Sequence, residues 1–508
     1  MYKFVDTLPT GSTQSASLSL QTVFNGINLD DALTDEDGSF VTLTVTGRGN
    51  TSIARRTISI PNMHGAWEEN EGYREPREIV VKYKMKDRTN EGIRKRFDDL
   101  KALLVGAKLV LAFTDENAIY YASLSNLEVP EEESNDLVGN ITFLCSDPDK
   151  YGEEKELYFP SDIVNLFNEG TAEAEPIFEL TALKNTTFAM VSNSEDEYNL
   201  IGEPADDDIE IVNTKPVILS ERGETLDTWT DVGTRIDDFI GGTDSGIDGA
   251  MTYDGTGIIA RSYGTGSKTH GPALIKEIPA IQDFEVDTIF DTISNFDRDN
   301  YRMEVYLFDE NMTMLGKIGL NDNHMGFTRR IGLGRVGEYV NSSKRYIISG
   351  STFKRDDLGE VALIYLRVRR EGQRFTFYIS EIRNGKHYVS YTGNYNDVNN
   401  EHQGKLKYIQ IYIGSWQDRD RTFRTRINRV NVYELLQEAE DQTPYILFAG
   451  DVVEFNHKNN DILINGESRN DLKNFGGSFF DLKKGENTIA VTPEDSFETK
   501  VRFRDKFL

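Results

Sequence analysis

Few patterns in the sequence have the spacing of a cofactor or metal site. The stretch GLGRVG (332–337) matches the dinucleotide fingerprint, which needs a helix directly after the glycines so that its amides meet the pyrophosphate. The residues that follow, EYVNSSKRY, have no helical periodicity, so we interpret the motif as a glycine-rich β-turn. The six histidines include no H-x-x-x-H pair. The single cysteine, Cys145, excludes an intramolecular disulfide and a cysteine-based zinc site.

The 85 acidic residues are too many for any two to be singled out as a catalytic pair. The acidic runs 35–37 and 206–208 lack the alternation of an EF-hand loop, so we interpret them as solvated turns and keep weak Ca²⁺ binding as the alternative. We therefore predict no cofactor and no enzymatic activity.

The most informative residues lie on two predicted strands, YIQIYIGSW (408–416) and VALIYLRVRR (361–370). Side chains alternate between the two faces of a strand, so each of these strands has one apolar face and one aromatic and polar face. Sugars are bound by such surfaces, because aromatic rings stack on C–H faces while amides and guanidinium groups bond to hydroxyls. The predicted carbohydrate-binding residues are Tyr408, Gln410, Tyr412 and Trp416 on the first strand, and Tyr365, Arg367 and Arg369 on the second. The alternative is an ordinary exposed sheet or a subunit contact.

A local basic patch overlaps the first of these strands. Residues 405–429 contain seven basic side chains against two acidic ones, Asp418 and Asp420. Such a patch could bind an anionic polymer such as a cell-wall phosphate chain. The alternative is a strand whose charges are neutralised by ion pairs within the protein.

The elements that must position these residues are mostly β-strands. Alternating segments rich in Val, Ile, Thr, Tyr and Phe recur along the chain, separated by many of the 42 glycines. One amphipathic helix is predicted from Asn90 to Leu104, capped by Asn90 and ended by Gly106. Six strands are predicted between 216 and 435, with no strong helix, which indicates a β-sandwich.

A length of 508 residues predicts several domains. We place a β-rich domain with one helix at 1–160 and an inserted jelly-roll or lectin-like β-sandwich at 216–440. The flanking segments 161–215 and 441–508 are each too short for a sandwich, but together they match the size of one split β-domain.

The formal net charge of −29 argues against nonspecific nucleic-acid binding, because that requires Lys and Arg to neutralise phosphates. No run approaches the length of a membrane span, and the first residues lack the apolar core of a signal peptide. The single cysteine suits maturation in a reducing cytosol.

An ordered set of N-terminal features resembles the distal tail proteins of long-tailed phages. These are VFNGINLDD (23–31), GRGNTSIARRTISIPNMHGAW (47–67), YREPREIVVKYKMK (73–86), the helix, and FLCSDPDKYG (143–152). In the second half, EGTAEAEPIFEL (169–180) and FFDLKKGENTIAV (479–491) resemble the two parts of that family's galectin-like C-terminal domain.

The resemblance implies a homohexameric ring at the virion tail tip, assembled in the host cytoplasm, with a protruding β-hairpin as a belt. The ring would join the tail-tube protein to baseplate and tail-associated proteins. The inserted module resembles those of longer family members, which carry carbohydrate-binding modules, so host cell-wall polysaccharide or teichoic acid is the expected partner. Two alternatives remain, a glycan-degrading enzyme with a carboxylate pair and a free-standing lectin or adhesin.

Overall fold

In a computed structural model the chain consists mainly of β-strands in several sheets, which confirms the predicted fold class. The structure describes residues 20–61, 64–68, 72–128, 134–205, 210–231, 246–294, 299–322, 330–338, 346–353, 362–417, 423–437, 439 and 442–508. Within these ranges, no helix has the length and apolar character needed to cross a membrane.

The N-terminal region folds around one apolar core between a sheet, a second layer of strands and a helix. Its elements are β1 (Thr22–Phe24), β2 (Ile27–Asn28), α1 (Leu29–Ala32), β3 (Gly38–Thr46), β4 (Ile53–Ala54), β5 (Thr57–Ile58), β6 (Trp67–Glu68), β7 (Tyr73–Arg74), β8 (Arg77–Asp87), α2 (Asn90–Leu103), β9 (Leu109–Phe113), β10 (Ile119–Leu127), β11 (Asp136–Cys145) and β12 (Lys150–Tyr158).

Helix α2 forms where the sequence predicts it, but its cap is one residue earlier. The side chain of Thr89, not Asn90, accepts the hydrogen bond from the Gly92 amide at 2.9 Å. Ile93, Leu100 and Leu104 bury the apolar face of the helix against the sheet.

Two distant parts of the chain build one C-terminal body. The first part contributes β13 (Ile163–Asn168), β14 (Ile177–Ala182), β15 (Phe188–Asn193) and β16 (Tyr198–Gly202). The residues that follow form a separate pair of sheets, described next, before the chain returns to this body.

The intervening module is a sandwich of an eight-stranded and a nine-stranded sheet. Two linker strands, β17 (Glu210–Val212) and β35 (Gln442–Pro444), pair in parallel where the chain enters and leaves the module. The module strands between them are β18 (Val217–Glu221), β19 (Thr230–Asp231), β20 (Gly246–Ile247), β21 (Ala250–Tyr253), β22 (Ile258–Ser262), β23 (Thr269–Gly271), β24 (Ala273–Ile281), β25 (Phe284–Ile293), β26 (Tyr301–Asp309), β27 (Met314–Asp322), β28 (Arg330–Val336), β29 (Tyr346–Phe353), β30 (Ala362–Glu371), β31 (Arg374–Arg383), β32 (Lys386–Asn396), β33 (Leu406–Trp416) and β34 (Arg424–Glu434).

The glycine-rich motif 332–337 lies mainly in strand β28, so its interpretation as a β-turn is wrong. Strand β28 pairs antiparallel with β27 and β29, and among the described residues the next element after it is strand β29. Gly334 instead leaves room for the Phe377 ring of the opposing sheet, because a Cβ atom there would lie 2.6 Å from that ring. Gly334 therefore serves packing between the two sheets.

The last strands return to the C-terminal body. They are β36 (Val452–Asn456), β37 (Asp461–Ile464), β38 (Glu467–Ser468), β39 (Gly485–Thr492) and β40 (Phe497–Phe507), with a 3₁₀ helix at Asn470–Leu472. Strand β40 pairs with β12 on one side and with β14 on the other, so one sheet runs continuously from the N-terminal region into the C-terminal body. The core of this body draws residues from both parts of the chain, for example Phe178, Ile489 and Val501.

Candidate functional site

Four of the seven predicted carbohydrate-binding residues lie on β33, inside the nine-stranded sheet of the module. Strand β33 pairs with β24 on one side and with β26 on the other. Ile409, Ile411 and Ile413 point into the core of the sandwich and are fully buried. Because side chains alternate, Tyr408, Gln410, Tyr412 and Trp416 belong to the outer face of this sheet.

The other three residues, Tyr365, Arg367 and Arg369, lie on β30 in the eight-stranded sheet. The apolar core lies between the two sheets and contains residues of both, so their outer faces point in opposite directions. The seven residues therefore form two separate groups, and no single sugar can contact both groups at once.

The β30 group faces the C-terminal body. Arg367 donates two parallel hydrogen bonds of 2.8 Å each to the carboxylate of Glu467, and its guanidinium lies over the ring of Tyr378. A second ion pair, Lys386 to Glu454 at 2.6 Å, joins the same two parts of the protein. This side of the module is an internal domain contact.

The outer face of the nine-stranded sheet holds a buried ion cluster that the sequence interpretation missed. Glu304 on β26 is fully buried and accepts from Arg302 at 2.8 Å and from Lys317 at 2.8 Å. The Tyr306 hydroxyl also donates to this carboxylate. Burial alone would raise the pKa of Glu304, but the charges of Arg302 and Lys317 outweigh it and lower the pKa to about 2.

Gln410 and Tyr412 lie directly beside this cluster. Tyr412 is opposite Glu304 in the strand ladder, and Gln410 is opposite Tyr306. The Tyr412 ring extends toward the next residue pair of the ladder, Arg302 and Gly414, and the Arg302 guanidinium lies 5.8 Å from the ring centroid. Its hydroxyl lies over Gly414, where a Cβ atom would come within 2.3 Å of it. A glycine is therefore required at 414 to seat this side chain.

On this face, the Tyr412 hydroxyl and the side-chain amide of Asn321 have no hydrogen-bond partner among the described residues, and both residues are fully buried. Asn321 is opposite Arg302, and Arg302 is opposite Gly414, so the two groups lie on either side of the Arg302 position. Buried polar groups are nearly always satisfied, so these two are candidates for contact with a ligand or water.

Only the ends of β33 present accessible aromatic side chains. Tyr408 and Trp416 are half-buried, whereas Gln410 and Tyr412 are fully buried. Eight residues separate Tyr408 from Trp416, which corresponds to roughly 27 Å along a strand. The Tyr412 hydroxyl lies over Gly414, which is two residues before Trp416 on the same face of the strand.

The residues of the buried ion cluster on β26 could have been identified from the sequence pattern. In the segment YRMEVYLFDE, Arg302, Glu304 and Tyr306 alternate with Met303, Val305 and Leu307, in the same pattern that singled out β33. What no local pattern could show is that β26 would pair with β33, more than 100 residues later in the chain.

The basic patch at 405–429 is largely neutralised within the protein. Lys407 pairs with Glu277 at 3.3 Å, Arg424 with Asp291 at 3.1 Å, and Arg429 with Asp287 at 3.3 Å. Arg426 contacts both Asp254 and Asp291. These contacts favour the ion-paired strand over an anion-binding surface, although Arg419 and Arg421 lie outside the described residues.

The acidic run 35–37 is held by the protein rather than left open. One carboxylate oxygen of Asp35 accepts from the amides of Asp37 and Gly38 at 2.9 Å each and from Arg96 at 2.8 Å. The hydrogen bond from Arg96, followed by those two amide bonds, lowers the pKa of Asp35 to about 2. The second run, 206–208, lies outside the described residues. The described part of the chain contains no cluster of three His, Cys, Asp or Glu side chains that could hold a metal ion.

The described residues between 50 and 75, called the arm below, contribute no side chain to the N-terminal core. Within the arm, strand β4 pairs with β7 and β5 pairs with β6. Arg74 anchors the arm through an ion pair with Asp149. The arm carries five large apolar side chains that are 45–72% exposed, Ile53, Ile58, Ile60, Trp67 and Tyr73. Such a concentration of exposed apolar residues is typical of a surface covered by another molecule.

Residues 419–507 match the family model of the C-terminal domain of Siphovirus-type tail components. The matched range begins at the end of the module and extends through β40. This match confirms the resemblance to phage distal tail proteins that the sequence indicated. Among curated proteins, none matches the sequence significantly.

Three solved structures illustrate the range of folds to which the chain is similar. The SPP1 Dit (gp 19.1) protein, described as a paradigm of the hub adsorption apparatus in phages that infect Gram-positive bacteria, is 21% identical over 36% of this chain and 74% of its own, with a TM-score of 0.32. The CBM2 module of the evolved Dit of Lactobacillus casei BL23 phage J-1 is 12% identical over 45% of this chain and all of its own, with a TM-score of 0.37. A tetrameric galectin from the ball sponge Cinachyrella sp. is 14% identical over 32% of this chain and 99% of its own, with a TM-score of 0.21.

Proposed function

We propose that this protein is a structural subunit of a phage tail tip, that its copies form a ring through their N-terminal regions, and that the inserted module binds host-surface glycan. The observation that carries the first part is the match of residues 419–507 to tail-component C-terminal domains. The sheet that runs through β12 and β40 supports it, because it couples the matched domain rigidly to the N-terminal region.

The ring would be held by apolar contacts rather than by charge. Each copy has a formal net charge of −29, so six copies repel one another wherever acid faces acid. The exposed apolar residues of the arm supply a surface that can offset this repulsion when a neighbour buries it. The partners of such a ring are the tail-tube protein and the baseplate or tail-associated proteins, and its place is the virion tail tip.

Mass photometry of the purified chain tests the ring. Six copies of 57.6 kDa weigh about 346 kDa, and we expect this species to become more abundant as salt screens the acidic repulsion. Trp67→Glu combined with Ile58→Glu should shift the protein to monomer. Tyr388→Glu, at a more exposed aromatic position on β32 of the module, is the control and should leave the ring intact. A wild-type chain that stays monomeric at every salt concentration would favour the free-standing lectin instead.

Glycan binding is proposed at the Trp416 end of the nine-stranded sheet, which comprises Trp416, Gly414, Tyr412, Arg302 and Asn321. Trp416 offers an accessible ring for stacking, while the Tyr412 hydroxyl and the Asn321 amide are polar groups without partners among the described residues. The ion cluster around Glu304 holds Arg302 in place beneath them. The ligand class is polysaccharide or teichoic acid of the host cell wall.

An array of cell-wall polysaccharides and teichoic acids tests this part. Trp416→Ala should abolish binding, and Tyr412→Phe should weaken it several-fold, whereas Tyr388→Ala should have no effect. Equal binding by all four proteins would exclude this face. Release of reducing ends from the same polymers, with loss on substitution of one carboxylate, would favour the glycan-degrading enzyme, and we expect no such release.

A further inference from the structure

Strand β13 (Ile163–Asn168) is the edge of the four-stranded sheet of the C-terminal body. The order of that sheet is β13, β39, β15, β16, so among the described parts of the chain β13 pairs on one side only. An edge strand carries a row of backbone groups that can pair with another chain, and proteins usually protect such edges with charges or proline.

The direction of the outward backbone groups follows from the ladder. The Val491 amide donates to the carbonyl of Asp162 at 2.8 Å, and the register continues with Ile163 opposite Ala490. In an antiparallel pair, alternate residues point both backbone groups at the partner strand. Val164 and Leu166 therefore bond to β39, while Ile163, Asn165 and Phe167 direct their amides and carbonyls away from the sheet. The Ile163 carbonyl accepts from the Ser161 hydroxyl at 2.7 Å, so the added strand would pair mainly with Asn165 and Phe167.

The side chains on this edge are apolar and exposed. Ile163 and Phe167 are 60% and 59% exposed, and Asn165 between them is also exposed. The six residues IVNLFN contain neither a charge nor a proline, although the chain as a whole is strongly acidic. The usual protections of an edge strand are thus missing within β13.

Carboxylates flank this uncharged strand at both ends. Asp162 precedes it, Glu169 follows it, and Glu486 lies opposite Phe167 in the ladder. Lys155 contacts Glu169 at 3.2 Å, but it is shared with Asp505 at 2.7 Å, so one negative charge remains uncompensated there. A strand added to β13 would therefore contact apolar side chains along its middle and carboxylates at both ends.

We propose that β13 is a docking edge for an extended segment of another protein, which adds to the sheet as a further strand. The segment would carry apolar residues at alternate positions, to cover Ile163 and Phe167, and Lys or Arg on its flanks, to face Asp162 and Glu169. A second copy of this chain pairing through its own β13 is disfavoured, because the carboxylates at the two ends would then face each other.

Hydrogen exchange on the full-length protein tests the proposal with a defined probe. The probe is an acetylated and amidated peptide, KKTVTVTVKK, and its control is the same peptide with glutamates in place of the lysines. Without peptide, the amides of Asn165 and Phe167 should exchange quickly while those of Val164 and Leu166 are protected. The lysine-flanked peptide should slow exchange across 163–168 at least ten-fold, and the glutamate-flanked peptide should not.

Two variants separate docking from folding. Phe167→Glu removes the apolar contact. Asn165→Pro removes an outward amide that the ladder does not use, together with the exposed side-chain hydrogen bonds of Asn165 with Glu486 and Thr488. Each should weaken peptide binding at least ten-fold while the protein remains folded in thermal melts, whereas Leu183→Glu, an exposed apolar position elsewhere in the same body, should bind as wild type does. Equal protection by the two peptides, or equal binding by all variants, would overturn the proposal. So would protection of 163–168 that grows with protein concentration alone and vanishes in Phe167→Glu, because the occupant would then be a second copy.

Discussion

Replacing Glu304 with glutamine should destabilise the inserted module more than any other single change of a carboxylate on its outer sheet face. The carboxylate is fully buried and neutralises both Arg302 and Lys317 at 2.8 Å. Glutamine keeps the shape but removes the negative charge that Arg302 and Lys317 both contact. Breaking a buried ion pair by removing one partner costs about 3–5 kcal/mol.

The pKa of Glu304 gives an independent magnitude. Despite its burial, the two cations hold this pKa at about 2 against an ordinary 4.5, which corresponds to about 3 kcal/mol of stabilisation of the charged form. Because the folded pKa is below the unfolded one, this stabilisation is fully present above about pH 4.5. It is lost as the pH falls toward 2. The difference in stability between wild type and Glu304→Gln should therefore shrink over that window.

Urea unfolding followed by tryptophan emission measures this difference. Trp229 is buried in the module core, while Trp67 on the exposed arm contributes a nearly constant signal. The control is Glu277→Gln on strand β24 of the same sheet. Its surface ion pair with Lys407 spans 3.3 Å and should be worth less than about 1 kcal/mol. A loss below about 1 kcal/mol for Glu304→Gln, or a loss that does not change between pH 5 and pH 2, would refute the assignment of the cluster as a charged, buried unit.

Three further outcomes are expected. In the same unfolding assay, Tyr412→Phe should leave the stability of the module unchanged or raise it by about 1 kcal/mol, because it removes a buried hydroxyl without a partner among the described residues. A decrease in the free energy of unfolding of more than about 2 kcal/mol would show that the hydroxyl is bonded. Arg367→Ala should weaken the contact between the module and the C-terminal body by about 1.5–3 kcal/mol, because it removes both hydrogen bonds to Glu467. Proteolysis of the linkers around β17 and β35 should then be faster, and an unchanged cleavage rate would contradict this. Thr89→Ala should destabilise the N-terminal region by about 1 kcal/mol through loss of its helix cap, while Asn90→Ala should cost less; the reverse order in thermal melts would restore Asn90 as the cap.

Much of the fold was predictable because its signals are local. Each of the six segments predicted as strands in the module is a strand in the structure, and the apolar faces of β30 and β33 point into the core as predicted. These features could be predicted because the alternation of apolar and polar side chains depends only on neighbouring residues. The helix was located to within one residue at each end by its apolar spacing. The cap was misassigned because Thr89 and Asn90 are both good capping residues, and only the backbone conformation distinguishes them.

The candidate site was predictable only in part. Alternation showed that Tyr365 and Tyr412 each belong to a polar strand face, but it contains no information on which sheet a strand joins. That choice depends on ladders between distant segments, such as β25 with β34, and these placed the two groups on opposite sides of the sandwich. Composition likewise showed a local excess of basic residues, yet their partners Asp254, Asp287 and Asp291 lie far away in the chain.

Sequence was sufficient for the mainly β class, the character of each strand face and the resemblance to tail proteins, because these depend on residue type and short-range order. Tertiary structure alone decided that Arg367 is used in a domain contact, that Gln410 and Tyr412 are buried beside an ion cluster, and that Ile163 and Phe167 remain on an open edge. Whether a side chain is buried or paired depends on the residues that pack against it, and in this protein those residues are far away in the chain. Folding brings them together through long-range contacts that no local window contains.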